Sequence, residues 1–403
     1  MAGKVVIVGA GQAASSTAGF LRQFGHEGPI VIIGDEALAP YQRPPLSKAW
    51  LKGEIEADEL LLRADDFYAL DNIDLQTGVR ALELDLAGRR VVTDAGAETY
   101  DQLVLATGAR ARTLPMPGSD LAGVHTLRTA ADALAIKAEL APGRRLAVIG
   151  AGYVGLEVAA SARALGTEVV VIEREPRVLA RVAAPPLSAF FETYHREHGV
   201  AFELGAHIAG LEGASRVHGV RLADGRLLVA DVVLVGVGAI PNTELAEAAG
   251  IACANGIVVD LEARTSAPHV FAAGDCTFRP LPLYHRTFRL ESVPNAIEQG
   301  RQAAAAITGR PAPAAECPWF WSDQYDLKLQ IAGIAFDADQ LVTRGEPASA
   351  RFAVFHLKDG QILAVEAVNA AAEFMGGRML ILSGKTVDPA RLADPAIPMK
   401  QVA

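Results

Sequence analysis

The stretch AVIGAGYVGLEVAASARALGTEVVVIERE, residues 147–175, restricts this chain more than any other feature. RLAVIGAG is a short β-type run that reaches Gly150, an amphipathic stretch from Val154 to Leu165 follows, and TEVVVIE is a second β-type run. A strand that meets Gly-x-Gly-x-x-Gly and passes into a helix and another strand is the βαβ unit of dinucleotide-binding folds. Gly150 permits the tight turn, Gly152 lets backbone N–H groups approach a pyrophosphate, and Gly155 lets the helix pack on the strand. Phosphates held there face the positive end of the helix. Glu173 ends the second run at the spacing, about 20 residues, where an acid accepts from ribose hydroxyls. A carboxylate there repels a 2′-phosphate and so favours NAD(H). Arg174 beside it works against that preference.

The chain opens with a second copy of the device. KVVIV leads to Gly9 and Gly11, with Ala14 in the third slot, where alanine is tolerated. PIVIIG is the second strand of this copy. Asp35 and Glu36 follow it, and Asp35 is the preferred holder of the ribose. Two cradles imply two dinucleotides. A protein that binds FAD and NAD(H) together can pass a hydride from nicotinamide to flavin.

With 403 residues the chain has length for two or three domains. Half-apolar composition (51%) and 21% charged residues allow a large core. The net charge of −10 argues against non-specific nucleic-acid binding. Cys253, Cys276 and Cys317 are far apart and form no Cys-x-x-Cys pair, so no metal site or disulfide framework is signalled. Buried thiols in a reducing, cytoplasmic compartment fit that usage. Val5 to Leu21 is uncharged and mimics a secretory signal, but the glycine loop and Gln12, Ser15, Ser16 and Thr17 explain it better. No other uncharged apolar run reaches the roughly 18 residues of a membrane span, so no membrane association is expected.

QLVLATG ends a strand at Thr107-Gly108, with Pro115 and Pro117 beyond it, and ADVVLVGVGAIPN repeats the pattern at residues 230–242. HVFAAGD is another strand, ending at Asp275. These boundaries predict an FAD-binding domain from residues 1–110 and 236–312, interrupted by an NAD-binding domain at 111–235. GRPAPAAECPW then reads as a linker. ARFAVFHLKDGQILAVEAVN is two β-type runs around Asp359-Gly360, a hairpin signal, and LKLQIAG is a further short run. The predicted fold class is α/β: two Rossmann-like dinucleotide-binding domains plus a small C-terminal α+β domain at 313–403.

These residues carry a resemblance over nearly the full length. GAG at 9–11, PYQRPPLSKAWL at 40–51, LVLATG at 103–108, GAGYVGLE at 150–157, AAGDC at 272–276, RLESVPNAIEQ at 289–299 and PWFWSDQY at 318–325 carry it. The chain resembles the NADH-dependent ferredoxin reductases of bacterial oxygenase systems. These belong to the glutathione reductase-like, FAD-containing pyridine nucleotide-disulphide oxidoreductases but lack the redox disulphide. Ala14 is a departure, since that family has glycine there.

The resemblance implies residue roles. Lys48, in a loop stiffened by Pro44 and Pro45, would lie beside the flavin N5 and stabilise electron-rich reduced flavin. A unit charge about 4 Å away at an effective dielectric of about 20 is worth roughly 4 kcal/mol. Glu157 would cancel part of this, pairing with Lys48 and touching the nicotinamide carboxamide. Asp275 would accept from the flavin's ribityl hydroxyls. Ala13, Ala14, Asp35, Val79, Arg128 and Val293 would also contact FAD, with Arg128 able to neutralise pyrophosphate charge. Val154 joins the glycines of its loop in the NAD set. Trp321 is assigned to the flavin surroundings, and on an extended segment Trp319 faces the same way.

No cysteine precedes Cys253, which rules out a disulphide relay from the first domain. The flavin must then pass electrons directly to an external acceptor, and the resemblance implies a 2Fe-2S ferredoxin that feeds a haem monooxygenase or a Rieske-type oxygenase. Residues 277–310 hold Arg279, Arg286, Arg289, Arg301 and Arg310 against Glu291 and Glu298, a local basic excess. Arg286 and Arg289 are candidate docking residues for an acidic redoxin. The alternatives are another acceptor (rubredoxin, monodehydroascorbate or O2) or a non-enzymatic NADH-sensing flavoprotein. Monomer and homodimer are both open.

Overall fold

The computed structural model describes residues 3–64 and 66–403. The chain divides into two compact units. One comprises residues 1–42, 57–110 and 240–318, and the other 43–56, 111–239 and 319–403.

The first unit is built on five parallel strands in the order Val270–Ala272, Gln102–Leu105, Val5–Val8, Ile30–Gly34, Ile73–Thr77. Its strands are runs of apolar residues rather than alternating ones because both faces are covered. Val5, Ile7, Ile30, Ile32 and Val104 point to one face, where they meet Ala14, Ala18, Leu21, Phe271 and Ala303. Val6, Val8, Val31, Ile33, Leu103 and Leu105 point to the other, against Leu84, Val91 and Ile257. Burial of each such aliphatic side chain contributes roughly 1.5–3 kcal/mol. The helices Gln12–Gln23 and Val293–Ile307 pack closely. Gly300 makes this possible, since a Cβ there would lie 3.0 Å from the Thr17 backbone nitrogen.

The second unit contains the same layout. Its parallel sheet runs Val200–Leu204, Glu168–Glu173, Arg145–Ile149, Val232–Val235, Val124–His125. In both units the strand that feeds the glycine loop is central and its βαβ partner lies beside it. The outer strand beyond the crossover comes last in the chain in the first unit and first in the second.

The second unit also holds a five-stranded antiparallel sheet, ordered Trp319–Gln324, Leu327–Gly333, Gln361–Val368, Arg351–Lys358, Gln340–Glu346. Asp359 and Gly360 link its central hairpin with φ of 49° and 74°, the signature of a two-residue type I′ turn. The helix Ala371–Ser383 packs on this sheet. Glu366 reaches out of it and accepts from the Ala184 backbone N–H at 3.0 Å, at the entry to the helix Pro185–Glu197. Leu327, Leu329, Ile331, Phe352, Val354 and Val368 share one core with Leu146, Val148, Leu156 and Phe191, so this sheet is part of the second unit's interior.

Arg344 closes the C-terminal segment. Its side chain is nearly buried, and its guanidinium donates to the carbonyls of Leu392 (3.1 Å), Asp394 (2.5 Å) and Ile397 (2.7 Å) and pairs with Glu373 (3.3 Å). Charge-assisted bonds of this kind are worth about 1.5–3 kcal/mol each. Arg344→Met removes them together and leaves buried carbonyls unpaired. We expect trypsin to cleave at Lys385, Arg391 and Lys400 at least about tenfold faster in this variant, because local opening becomes cheaper. Equal cleavage rates would show that Arg344 does not hold the segment.

Candidate functional site

Both glycine loops have the geometry that a pyrophosphate needs. Gly9 and Gly150 have φ of +106° and +103°, a region that residues with a Cβ avoid. A Cβ at Gly9 would lie 2.1 Å from the Ala106 carbonyl oxygen, and one at Gly150 would lie 2.5 Å from that of Gly236. Each loop is therefore pressed against the end of the neighbouring central strand. At Gly11 and Gly152 a Cβ would meet nothing within 4 Å, so the space above each turn is open. These two residues precede the helices Gln12–Gln23 and Tyr153–Ala164, and neither helix start is capped by a side chain. The first N–H groups of both helices are left for a ligand. The two cradles fit dinucleotides on these grounds.

The third slot differs between them. A Cβ at Gly155 would fall 2.2 Å from the Gly150 carbonyl oxygen, so that helix lies against its own loop. Ala14 holds the corresponding place in the first unit and is fully buried there, so its helix stands where a methyl group fits.

In the first unit, several candidate residues converge. Ala13 is buried in the first helical turn, and its Cβ lies 3.0 Å from where a Cβ of Gly274 would stand, next to half-buried Asp275. The Gly274 backbone N–H donates to Gln299 Oε1 at 2.9 Å, which ties this turn to the helix that Val293 opens. Asp35 is exposed and lies 3.4 Å from the Arg80 guanidinium. Val79 is adjacent to it in space, its N–H donating to Gly34 O at 2.9 Å. Glu36 accepts from the Tyr41 hydroxyl.

Arg128 belongs to the second unit. Its carbonyl accepts from Arg43 Nη1 at 2.6 Å, and its N–H donates to Asp132 at 3.0 Å. Glu173 is half-buried and already bound: Oε2 accepts from the Ala151 N–H of the glycine loop at 2.8 Å, and Oε1 from Glu175 N–H at 3.0 Å. The acid thus braces the loop. Val154 is exposed beside it.

A buried polar cluster of the second unit surrounds Glu157. This residue lies in the helix Tyr153–Ala164 and is 5% exposed. Its Oε2 accepts from Lys48 Nζ at 2.6 Å and from Ser47 Oγ at 2.5 Å, and its Oε1 accepts from Ser322 Oγ at 2.6 Å. Lys48 Nζ also donates to Pro44 O at 2.9 Å. Local sequence explains why Lys48 comes here. Pro44 and Pro45 start a short 3-10 turn, Pro44–Ser47, and buried Leu51 anchors the following turn in the core with Ile136 and Val148. One helical turn beyond Glu157, Ser161 Oγ donates to Ser47 O at 2.7 Å, so the loop is clamped at two points.

Ser322 belongs to the strand Trp319–Gln324. Alternation puts Phe320, Ser322 and Gln324 on one face and Trp319, Trp321 and Asp323 on the other. Phe320 packs edge-on against Tyr153 at 4.8 Å. The indoles of Trp319 and Trp321 lie side by side, 5.6 Å between ring centroids. Ser47, Ser161, Ser322 and Gln324 were not singled out by sequence. The one available signal was two polar residues at alternate positions of an aromatic strand.

The basic stretch at 277–310 is less exposed than its composition implied. Arg279 is 2% exposed and is neutralised by Glu298 at 2.8 Å, with Asn295 accepting a further bond at 3.0 Å. Arg289 pairs with Glu291, and its side chain is largely covered. Arg286 is exposed in the strand Arg286–Phe288. Cys276 and Cys317 are buried and Cys253 is only half-buried; none of the three forms a disulphide among the described residues. Among the described residues, no group of side chains could hold a metal ion, and no helix is long and apolar enough to cross a membrane.

Comparison with known proteins agrees with this geometry. The family model for pyridine nucleotide-disulphide oxidoreductases matches residues 3–300, and that for the reductase C-terminal domain matches residues 319–403. The chain is 51% identical to a probable ferredoxin reductase, CtmF, of Castellaniella defragrans, over 99% of this chain and 98% of that one. It is 42% identical to the putidaredoxin reductase CamA of Pseudomonas putida, over 99% and 96%. Among solved structures, a covalent putidaredoxin reductase–putidaredoxin complex superposes with a TM-score of 0.97 at 42% identity, covering 99% of this chain and 98% of that one. A ferredoxin reductase for the CYP199A2 system of Rhodopseudomonas palustris gives 0.95 at 43% identity, covering 99% and 100%. The chain belongs to the pyridine nucleotide-disulphide oxidoreductase family and carries the family's reductase C-terminal domain.

Proposed function

We propose that this protein is an FAD-dependent NADH:ferredoxin oxidoreductase that supplies electrons to an oxygenase. One observation carries the reading: a chain with two nucleotide cradles of the same geometry is similar along its whole length to ferredoxin reductases, including those of dioxygenase systems. The cofactors are FAD and NAD(H). With both bound, nicotinamide supplies a hydride to the flavin, and the flavin can release the two electrons singly.

The protein's own part is to bind and orient. We assign the segments 1–110 and 236–312 to FAD, with Gly9 and Gly11 at its pyrophosphate, Asp35 at its ribose and Asp275 at its ribityl hydroxyls. Ala13, Ala14, Val79, Val293 and Arg128 complete that set. We assign 111–235 to NAD(H), with Gly150, Gly152, Val154 and Gly155 at the phosphates and Glu173 at the ribose. We assign 313–403 as the C-terminal domain, whose sheet packs into the second unit's core, and assign Trp321 to the flavin surroundings.

Lys48 is the charge that stabilises reduced flavin, and Glu157 sets how much of that charge is felt. The pair is largely buried, so removing one partner leaves the other uncompensated, a loss of up to about 3–5 kcal/mol in comparable pairs. Ser47 and Ser322 would still donate to Glu157, which limits the loss here. Lys48→Met is expected to retain FAD while its reduction by NADH slows at least about tenfold, as for other groups that stabilise developing charge. Single-turnover reduction at the wild-type rate would reject the role.

The acceptor is a 2Fe-2S ferredoxin. Of the two candidate docking residues, Arg286 is exposed and the Arg289 side chain is largely covered beside Glu291. The rate of ferredoxin reduction should fall steeply as ionic strength rises. Arg286→Glu should lower it about fivefold at low salt, with the difference closing at high salt. A flat salt profile contradicts electrostatic docking here.

A further inference from the structure

The hydrogen bonds around Glu157 do not stop at Ser322. Ser322 Oγ is 3.1 Å from Gln324 Nε2, and Gln324 Oε1 is 2.7 Å from His195 Nε2. His195 comes from the helix Pro185–Glu197, and its Nδ1 lies 3.5 Å from the Tyr325 hydroxyl. Ser322, Gln324 and His195 are each at most 1% exposed. A continuous polar chain therefore runs through the interior of the second unit, from His195 to Lys48.

Its direction follows from chemistry alone. An ionised carboxylate only accepts, so the Ser322 hydroxyl must donate to Glu157. That hydroxyl has spent its only proton and must accept from the next group, which has to be the amide nitrogen of Gln324. The Gln324 oxygen then faces His195, so His195 must carry its proton on Nε2. Each step fixes the next, and every donor points toward Glu157.

We propose that Ser322, Gln324 and His195 are positioning residues for the Glu157–Lys48 pair: a one-way chain of donors that locks the Glu157 carboxylate in place and makes the His195 tautomer report its charge. Burial pushes the imidazole of His195 down to about 4, helped by nearby His198 and opposed by the Gln324 bond, so it stays neutral near pH 7. A neutral ring is what the chain requires, since a fixed tautomer has one donor and one acceptor. Satisfied polar networks of this sort specify a unique arrangement, while a half-satisfied one costs stability.

The chain makes an unusual demand of Glu157→Gln. The new amide would turn its oxygen toward Lys48 and Ser47, which are both donors, and its nitrogen toward Ser322. Ser322 would then accept from residue 157 and donate to a flipped Gln324. The Gln324 nitrogen would face His195 Nε2, which must lose its proton to Nδ1. A change of one atom would thus move a proton across a ring three hydrogen bonds away.

The test uses holoprotein labelled with 15N at histidine. Long-range proton–nitrogen correlation reads each tautomer, with His195 assigned by the signals lost in His195→Gln. Wild type should show the Nε2-protonated form, unchanged between about pH 6 and 8. Glu157→Gln should show the Nδ1-protonated form. A wild-type Nδ1 tautomer, or no change in Glu157→Gln, overturns the chain. The positioning role rests on the proposed function of Lys48, so a second arm addresses it. Ser322→Ala should slow reduction of the bound FAD by NADH about three- to tenfold with Kd for NADH within about twofold, and Ser322→Thr, which keeps the hydroxyl, should recover the rate. A wild-type rate in Ser322→Ala overturns the positioning role. The tautomer arm needs no NADH, so wild-type protein that NADH does not reduce would refute the function alone. A wrong tautomer in protein that NADH does reduce would refute the chain alone.

Discussion

The Glu157 carboxylate, buried and satisfied by three donors, holds the second unit's site together. Its three donors come from two separate parts of the sequence: Ser47 and Lys48 from the loop at 43–56, and Ser322 from the strand at 319–324. A buried charge with too few partners would be expelled or neutralised. The carboxylate therefore enforces convergence. The prolines that shape the loop, the Leu51 anchor and the Ser161 clamp all serve to deliver Ser47 and Lys48 to that one place.

The two glycine cradles impose an independent constraint. Each needs a positive φ at its first glycine, an open space over its second and an uncapped helix start. These demands are local, and for that reason they were legible in the sequence. So were the all-apolar central strands, whose composition follows from burial on both faces, and the Asp359-Gly360 hairpin, whose turn type selects those residues.

Features that depend on distant partners were not legible. A count of arginines between residues 277 and 310 includes Arg279 in a basic excess, because its burial and neutralisation by Glu298 depend on strand and helix meeting. Cys253 is half-exposed at the end of a short strand, where composition alone suggested a buried thiol. Nor does the sequence show that both Glu173 oxygens already accept a backbone N–H, which braces the glycine loop. Ser322 and Gln324 acquire meaning only when the strand reaches Glu157 and His195. In sequence they are two polar residues beside tryptophans.

The proposed activity requires that this chain carry flavin, take electrons from NADH and pass them on one at a time. Anaerobic titration of the purified holoprotein with NADH, followed by addition of a 2Fe-2S ferredoxin, tests it directly. The account predicts that NADH bleaches the visible flavin absorption and that the ferredoxin restores it as its cluster is reduced. Protein that holds no flavin, or whose flavin NADH leaves oxidised, would contradict the account.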